Sequence, residues 1–223
     1  MTTDFNLDSC VPIDAENIEK LPDFSYNFVH SLHLATPHKE GALIGDAVKY
    51  ARTKDVYDQT AYLLKMVRKI KPNNILEIGT HCCNFDYIMG CLAKDMNCKF
   101  KIDTVGLQEA SQLCANMVNE EIGNNNIEIS FFHGNSHNVL KQDHFRNSNY
   151  NLCWVDGDHS FQGALEDLMD CESIGIPHLL VDDCDMPPVM QAVNVFVNRS
   201  DYELVEINDD VHLITYLRHE SAA

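Results

Sequence analysis

Between residues 74 and 183 short apolar runs, each closing on a polar residue, alternate with stretches whose apolar side chains recur at helical spacing. The runs are Asn74–Ile78, Phe100–Asp103, Ile127–Phe132, Asn151–Val155 and Pro177–Val181. The helical stretches between them carry Phe85, Ile88, Met89 and Leu92, then Leu113, Met117 and Val118, then Ala164, Leu165 and Leu168, and the series closes with Val189 to Val197. Strands joined through helices must run the same way, so the pattern implies a parallel sheet with helices wound on both faces. Two last strands, Tyr202–Ile207 and Val211–Leu217, flank Asn208-Asp209-Asp210 and read as an antiparallel hairpin. The expectation is therefore an α/β, doubly wound, mostly parallel seven-stranded sheet ending in that hairpin.

The polar residues that close the runs carry the functional reading. They are Glu77, Asp103, Asn135, Asp156, and Asp182 with Asp183. In an open α/β sheet the ligand crevice lies outside the carboxyl ends of the strands, where residues distant in sequence converge. Each of these residues taken alone also reads as a helix cap, because Asp and Asn satisfy orphan amides. The first run leads through Gly79 and Thr80 into the next helix, a turn at which the backbone passes close to whatever binds. A full Gly-x-Gly-x-x-Gly fingerprint is absent, since His81, Cys82 and Cys83 stand where further glycines would be expected.

Composition narrows the partners. The chain of 223 residues has 34 acidic and 16 basic side chains, a formal charge of -18, which argues against a nucleic-acid backbone or an anionic membrane surface as main partner. Its nine cysteines are scattered without a Cys-x-x-Cys pair and fit neither a disulfide framework nor a structural zinc site. They read as reduced, buried, small apolar residues, and with no apolar run of signal or membrane-span length the expected location is cytoplasmic. Residues 1–44, broken by Pro12, Pro22 and Pro37, form a lid or strap segment ahead of a domain spanning 45–223. His30, His33 and His38 lack a fourth ligand and read as surface or packing residues, and Trp154 reads as core.

Several of these stretches together resemble the class I S-adenosylmethionine-dependent methyltransferases. They are Leu76-Glu77-Ile78-Gly79-Thr80, Asp103, Phe132-His133-Gly134-Asn135-Ser136, Val155-Asp156-Gly157-Asp158-His159-Ser160 and Val181-Asp182-Asp183. The nearest group is the small-molecule O-methyltransferases whose fourth strand ends in Asp-Gly-Asp-His-Ser. The resemblance implies the Rossmann-like methyltransferase fold and S-adenosyl-L-methionine as cofactor. It implies that Glu77, Gly79 and Thr80 shape the methionine end of the pocket and that Asp103 accepts hydrogen bonds from the ribose hydroxyls. Gly134, Asn135 and Ser136 would lie beside the adenine, with Asp156 also on the cofactor side.

Some relatives of this kind place a divalent cation at the ends of the fourth and fifth strands, which implies Mg²⁺ or a similar ion on Asp156, Asp182 and Asp183. Three carboxylates at one point repel unless a cation or shared protons neutralise them, and all-oxygen ligation suits Mg²⁺. His159, with Asp156, would then carry the catalytic proton chemistry. The other reading keeps Asp156 as a capping residue, His159 bonded to a carboxylate, and Asp158 capping the next helix. The expected partner is a small-molecule acceptor, with homo-oligomerisation left open. Two rivals stand beside the methyltransferase: a non-catalytic scaffold whose altered glycine turn no longer admits the cofactor, and a nicotinamide-dependent oxidoreductase. The missing glycines disfavour the second, because a pyrophosphate needs close backbone approach.

Overall fold

Strand β1 (Asn74–Ile78) forms where the first apolar run lies and is buried from Ile75 onward. The structure, a computed structural model, describes residues 62–222 apart from 64, 82, 96, 123–125 and 209–213. The expected lid or strap over 1–44, with its histidines, and the tip of the C-terminal hairpin lie outside the described residues.

Around β1 the elements follow in the anticipated alternation. They are α1 (Asn84–Asp95), β2 (Phe100–Gly106), α2 (Ala110–Ile122), β3 (Ile127–His133), α3 (Ser136–Val139), α4 (Asp143–Asn147), β4 (Leu152–Val155), α5 (Phe161–Ile174), β5 (His178–Val181), α6 (Pro187–Val197), β6 (Tyr202–Asn208) and β7 (Ile214–His219). The sheet has seven strands in the order β3-β2-β1-β4-β5-β7-β6. The pairs β1–β2, β1–β4, β2–β3 and β4–β5 are parallel, and β7 runs antiparallel to both β5 and β6. The chain thus winds outward from β1 in one direction and then restarts at β4 in the other, which leaves a crevice above the carboxyl ends of β1 and β4.

Alternate residues of each strand feed opposite cores. Ile75, Ile102, Ile129 and Trp154 pack with α1, α2 and with Tyr62, Leu63, Met66 and Val67 on one face. Leu76, Val105, Cys153 and Val155 pack with α3 to α6 on the other. Trp154 is 2% exposed and stacks on Phe85 with ring centroids 5.2 Å apart, so it is the core residue its position in a strand suggested. Cys83, Cys114, Cys153, Cys171 and Cys184 are buried free thiols.

One local expectation is corrected. The second strand does not stop at Asp103 but continues through Thr104 and Val105 to Gly106, pairing Asp103 with Leu76 and Val105 with Ile78. Asp103 is therefore mid-strand, three residues short of the carboxyl end. After Gly134 the chain makes two short helices, α3 and α4, which fold back over the sheet and bring His144 and Tyr150 onto Asp103.

Candidate functional site

The turn after β1 forms the floor of the cleft, and its local chemistry is set by a buried polar chain. Thr104 on β2 donates its hydroxyl hydrogen bond to Glu77, and the Thr80 and Thr104 hydroxyl oxygens lie 2.6 Å apart. Glu77 and Asp86 are buried side by side beneath the turn, and the Asp86 oxygens find no well-formed hydrogen bond among the described residues. Burial, followed by the neighbouring Asp86, holds Glu77 well above the usual carboxylate range, and burial pushes Asp86 up to about 6. At least one of the pair keeps a proton at mildly acidic pH, which avoids two bare charges in the core.

Gly79 has φ 103, and a Cβ there would collide with the carbonyl oxygen of Asp156. The glycine is thus required by the junction of β1 with β4, where the Asp156 amide donates to Ile78 O at 2.8 Å. Cys83, one of the residues standing where further glycines would be expected, adopts φ 59 and is buried in the core.

Above this floor lies a cleft of about 820 Å³. Gly79, Thr80 and His81 contribute its β1 wall, Gly106, Leu107, Gln108 and Ser111 its β2 wall, and Gly134, Asn135, Ser136 and His137 its β3 wall. Asp156 to Ser160 close the β4 side, and Met186 reaches in from before α6. The structure brings Gly79, Thr80, Gly134, Asn135, Ser136, Asp156 and His159 together in one cleft. Glu77 lies beneath it and shapes it only through Thr104 and Thr80.

Within the β3 wall the polar groups are partly committed. Asn135 caps α3 by accepting from the His137 amide at 3.1 Å. The Ser136 hydroxyl donates to Asp167 on α5 at 2.7 Å, and His137 Nδ1 pairs with Asp170 at 3.1 Å.

The acids at the ends of β4 and β5 gather around a histidine. His159 Nε2 lies 3.2 Å from Asp156 Oδ1 and 3.0 Å from Asp183 Oδ2. Hydrogen bonds to Asp156 and then Asp183 push the imidazole up to about 10, so it holds its proton at neutral pH. Partial desolvation raises Asp156 as well, outweighing the lowering effect of the imidazolium. The donor atoms of Asp156, His159 and Asp183 all lie within 4.8 Å of one another, a spacing that a divalent ion can bridge.

Asp182, expected as the third carboxylate ligand, is instead 5% exposed and accepts the Asp183 amide through Oδ1 at 2.9 Å. Burial, then Asp156 and Asp183, hold it well above the usual range. Asp158 is not the helix cap itself. It accepts the Ser160 amide at 2.8 Å, and Ser160 caps α5 by accepting from the Gly163 amide at 3.1 Å.

Asp103 does not reach the cleft. It is fully buried, and its Oδ2 accepts from Tyr150 Oη at 2.5 Å and pairs with His144 Nε2 at 2.6 Å. It clasps the α4 segment to the sheet. Sequence reasoning missed His81, His137, Leu107 and Gln108 as cleft residues. For the last two a signal existed, because the β-branched Thr104 and Val105 after Asp103 favour continuing the strand.

No family model matches the chain, and no curated protein matches it. Solved structures do. The O-methyltransferase from Bacillus cereus in complex with SAH aligns with a TM-score of 0.56 at 15% identity, covering 90% of this chain and 98% of that one. The SAH-bound methyltransferase PaMTH1 from Podospora anserina aligns with a TM-score of 0.57 at 15% identity, covering 94% and 98%. This likeness, with the strand order, shows the Rossmann-like methyltransferase fold. Among the described residues no helix is long and apolar enough to cross a membrane.

Proposed function

We propose that this chain is an S-adenosyl-L-methionine-dependent methyltransferase that methylates a hydroxyl of a small molecule with help from a divalent cation. The observation that carries the reading is the joining of two features in one place: the cleft at the β1–β4 switch point and, on its rim, the convergent Asp156, His159 and Asp183. The SAH bound by the Bacillus cereus and Podospora anserina neighbours supports the cofactor class.

The acceptor oxygen would attack the methyl carbon in line with the sulfonium. The new C–O bond forms as the C–S bond breaks, and the electron pair stays on sulfur. The floor made by Gly79 and Thr80 would seat the methionine half, and Asn135 and Ser136 would lie along the adenine. Asp156 and Asp183 would sit on the acceptor side, where the hydroxyl proton must leave.

The donor set fits a cation: the carboxylate oxygens of Asp156 and Asp183 suit a hard divalent ion and are the groups that would hold it, its charge taking the place of the His159 proton between them. Bound there, it would lower the pKa of an acceptor hydroxyl. A protonated imidazole cannot accept a proton, so His159 in its present double ion pair serves as an electrostatic partner to the two carboxylates. Its role as general base requires that pair to open.

The test is calorimetric titration with S-adenosylmethionine and SAH, with Mg²⁺, with Mn²⁺ and with a chelator, followed by a methyl-transfer screen over phenols and catechols. Micromolar binding, about -8 kcal/mol, is expected. A folded sample that binds neither would favour the scaffold alternative.

A further inference from the structure

We infer that Gln108, rather than an acid of β2, is the side chain that reads the ribose of the adenosyl cofactor, an assignment that rests on the methyltransferase reading of the cleft. In a sheet wound outward from β1, the rim at the carboxyl end of β2 faces the ribose, and an acidic side chain there ordinarily accepts from its hydroxyls. Here the rim has no such acid. Asp103 lies three residues inside the strand, fully buried and bonded to His144 and Tyr150.

The terminal position itself is closed to any side chain. A Cβ on Gly106 would lie 2.9 Å from Thr80 Oγ1, 3.1 Å from Thr80 Cβ and 3.3 Å from Phe131 Cε2. Thr80 cannot move aside cheaply, because its hydroxyl is paired with Thr104 at 2.6 Å in the buried chain that holds Glu77. The acceptor must therefore come from beyond the strand.

Elimination along the rim leaves one group. Leu107 is apolar and 70% exposed. Ser111 already donates its hydroxyl to His81 O at 2.6 Å. Glu109 is not part of the cleft wall, whereas Gln108 is, and its amide makes no hydrogen bond among the described residues. Its backbone carbonyl is the fixed point, accepting the Ser111 amide at 3.1 Å as α2 begins. A carboxamide offers both an acceptor and a donor to a vicinal diol, and leaves the rim uncharged.

The experiment titrates SAH and its 2′-deoxyribose counterpart into wild type, Gln108→Ala and Asp103→Asn. Gln108→Ala is expected to weaken SAH by about fivefold and the deoxy form by less than about twofold, the size of one neutral hydrogen bond. Asp103→Asn is expected to lower the melting temperature and leave the preference for SAH over the deoxy form as in wild type. If Gln108→Ala binds both ligands as wild type does, the assignment falls while the cofactor reading stands. If Asp103→Asn erases the preference, the ribose belongs to Asp103 and the inference is overturned. If wild type binds neither ligand, the adenosyl reading fails and the inference with it.

Discussion

Two groups of carboxylates lie a short way apart in this molecule and resolve the same problem in opposite ways. Glu77 and Asp86, under the β1 turn, are buried among apolar side chains and Thr104, and they stay in the fold by keeping a proton between them. Asp156 and Asp183, at the ends of β4 and β5, retain side-chain exposures of 31% and 21% and are bridged by His159. Where water is excluded, a charge costs more than an ion pair returns, so the acid goes neutral; where water reaches, the charge survives and can bind a cation. Residue type alone does not separate a buried acid that keeps its proton from one held in an ion pair; solvent access does.

The comparison breaks most visibly in turnover. From the placement of Asp156 on the cleft wall beside His159, Asp156→Asn is expected to lower methyl transfer by about a hundredfold, the usual scale for losing one proton-handling group. Circular dichroism should be unchanged. A variant with wild-type turnover would remove the β4–β5 acids from the chemistry.

The buried acids should show themselves in stability rather than in rate. The folded pKa of Asp86, raised to about 6 from 3.8, exceeds its unfolded value. Its contribution is therefore fully present below about pH 4 and is lost as pH rises toward and past 6. Asp86→Asn, which cannot ionise, should be more stable than wild type by about 2–3 kcal/mol at pH 8 and should lose that advantage at pH 4. Denaturant melts at the two pH values decide it, and a variant less stable at pH 8 would show that the charge is paired after all.

The smallest effect sharpens the contrast. Asp183→Asn removes a carboxylate from a half-exposed pair, and its φ of 53 suits asparagine as well as aspartate. Its stability should change by less than about 1 kcal/mol at pH 7. Calorimetry should at the same time show weaker binding of Mn²⁺. A large loss of stability would make the strand-end acids structural, like those beneath the turn.

Sequence reasoning reached the fold because alternation of apolar runs is a local signal. The strands formed where the runs lie, and Trp154 and the thiols of Cys83, Cys114, Cys153, Cys171 and Cys184 went to the core as their positions suggested. It reached most of the cleft for the same reason, since any residue that closes a parallel strand is carried to the same edge of the sheet. It failed at Asp103, where an acid inside a strand looked like the strand's end. Asp182 is more deeply buried than its neighbour Asp183, a difference that one position of spacing does not reveal.

What the sequence determined by itself, then, was the order of elements, the doubly wound sheet, and the edge on which a site must lie, because these follow from the period of the apolar pattern. Tertiary structure alone decided which acids meet water. The pairing of Leu76 with Asp103 puts that acid under α4, and the parallel pairing of β4 with β1 sets Asp156 against the Gly79 turn. Both depend on register between strands that are distant in the chain, and register is settled by packing across the sheet.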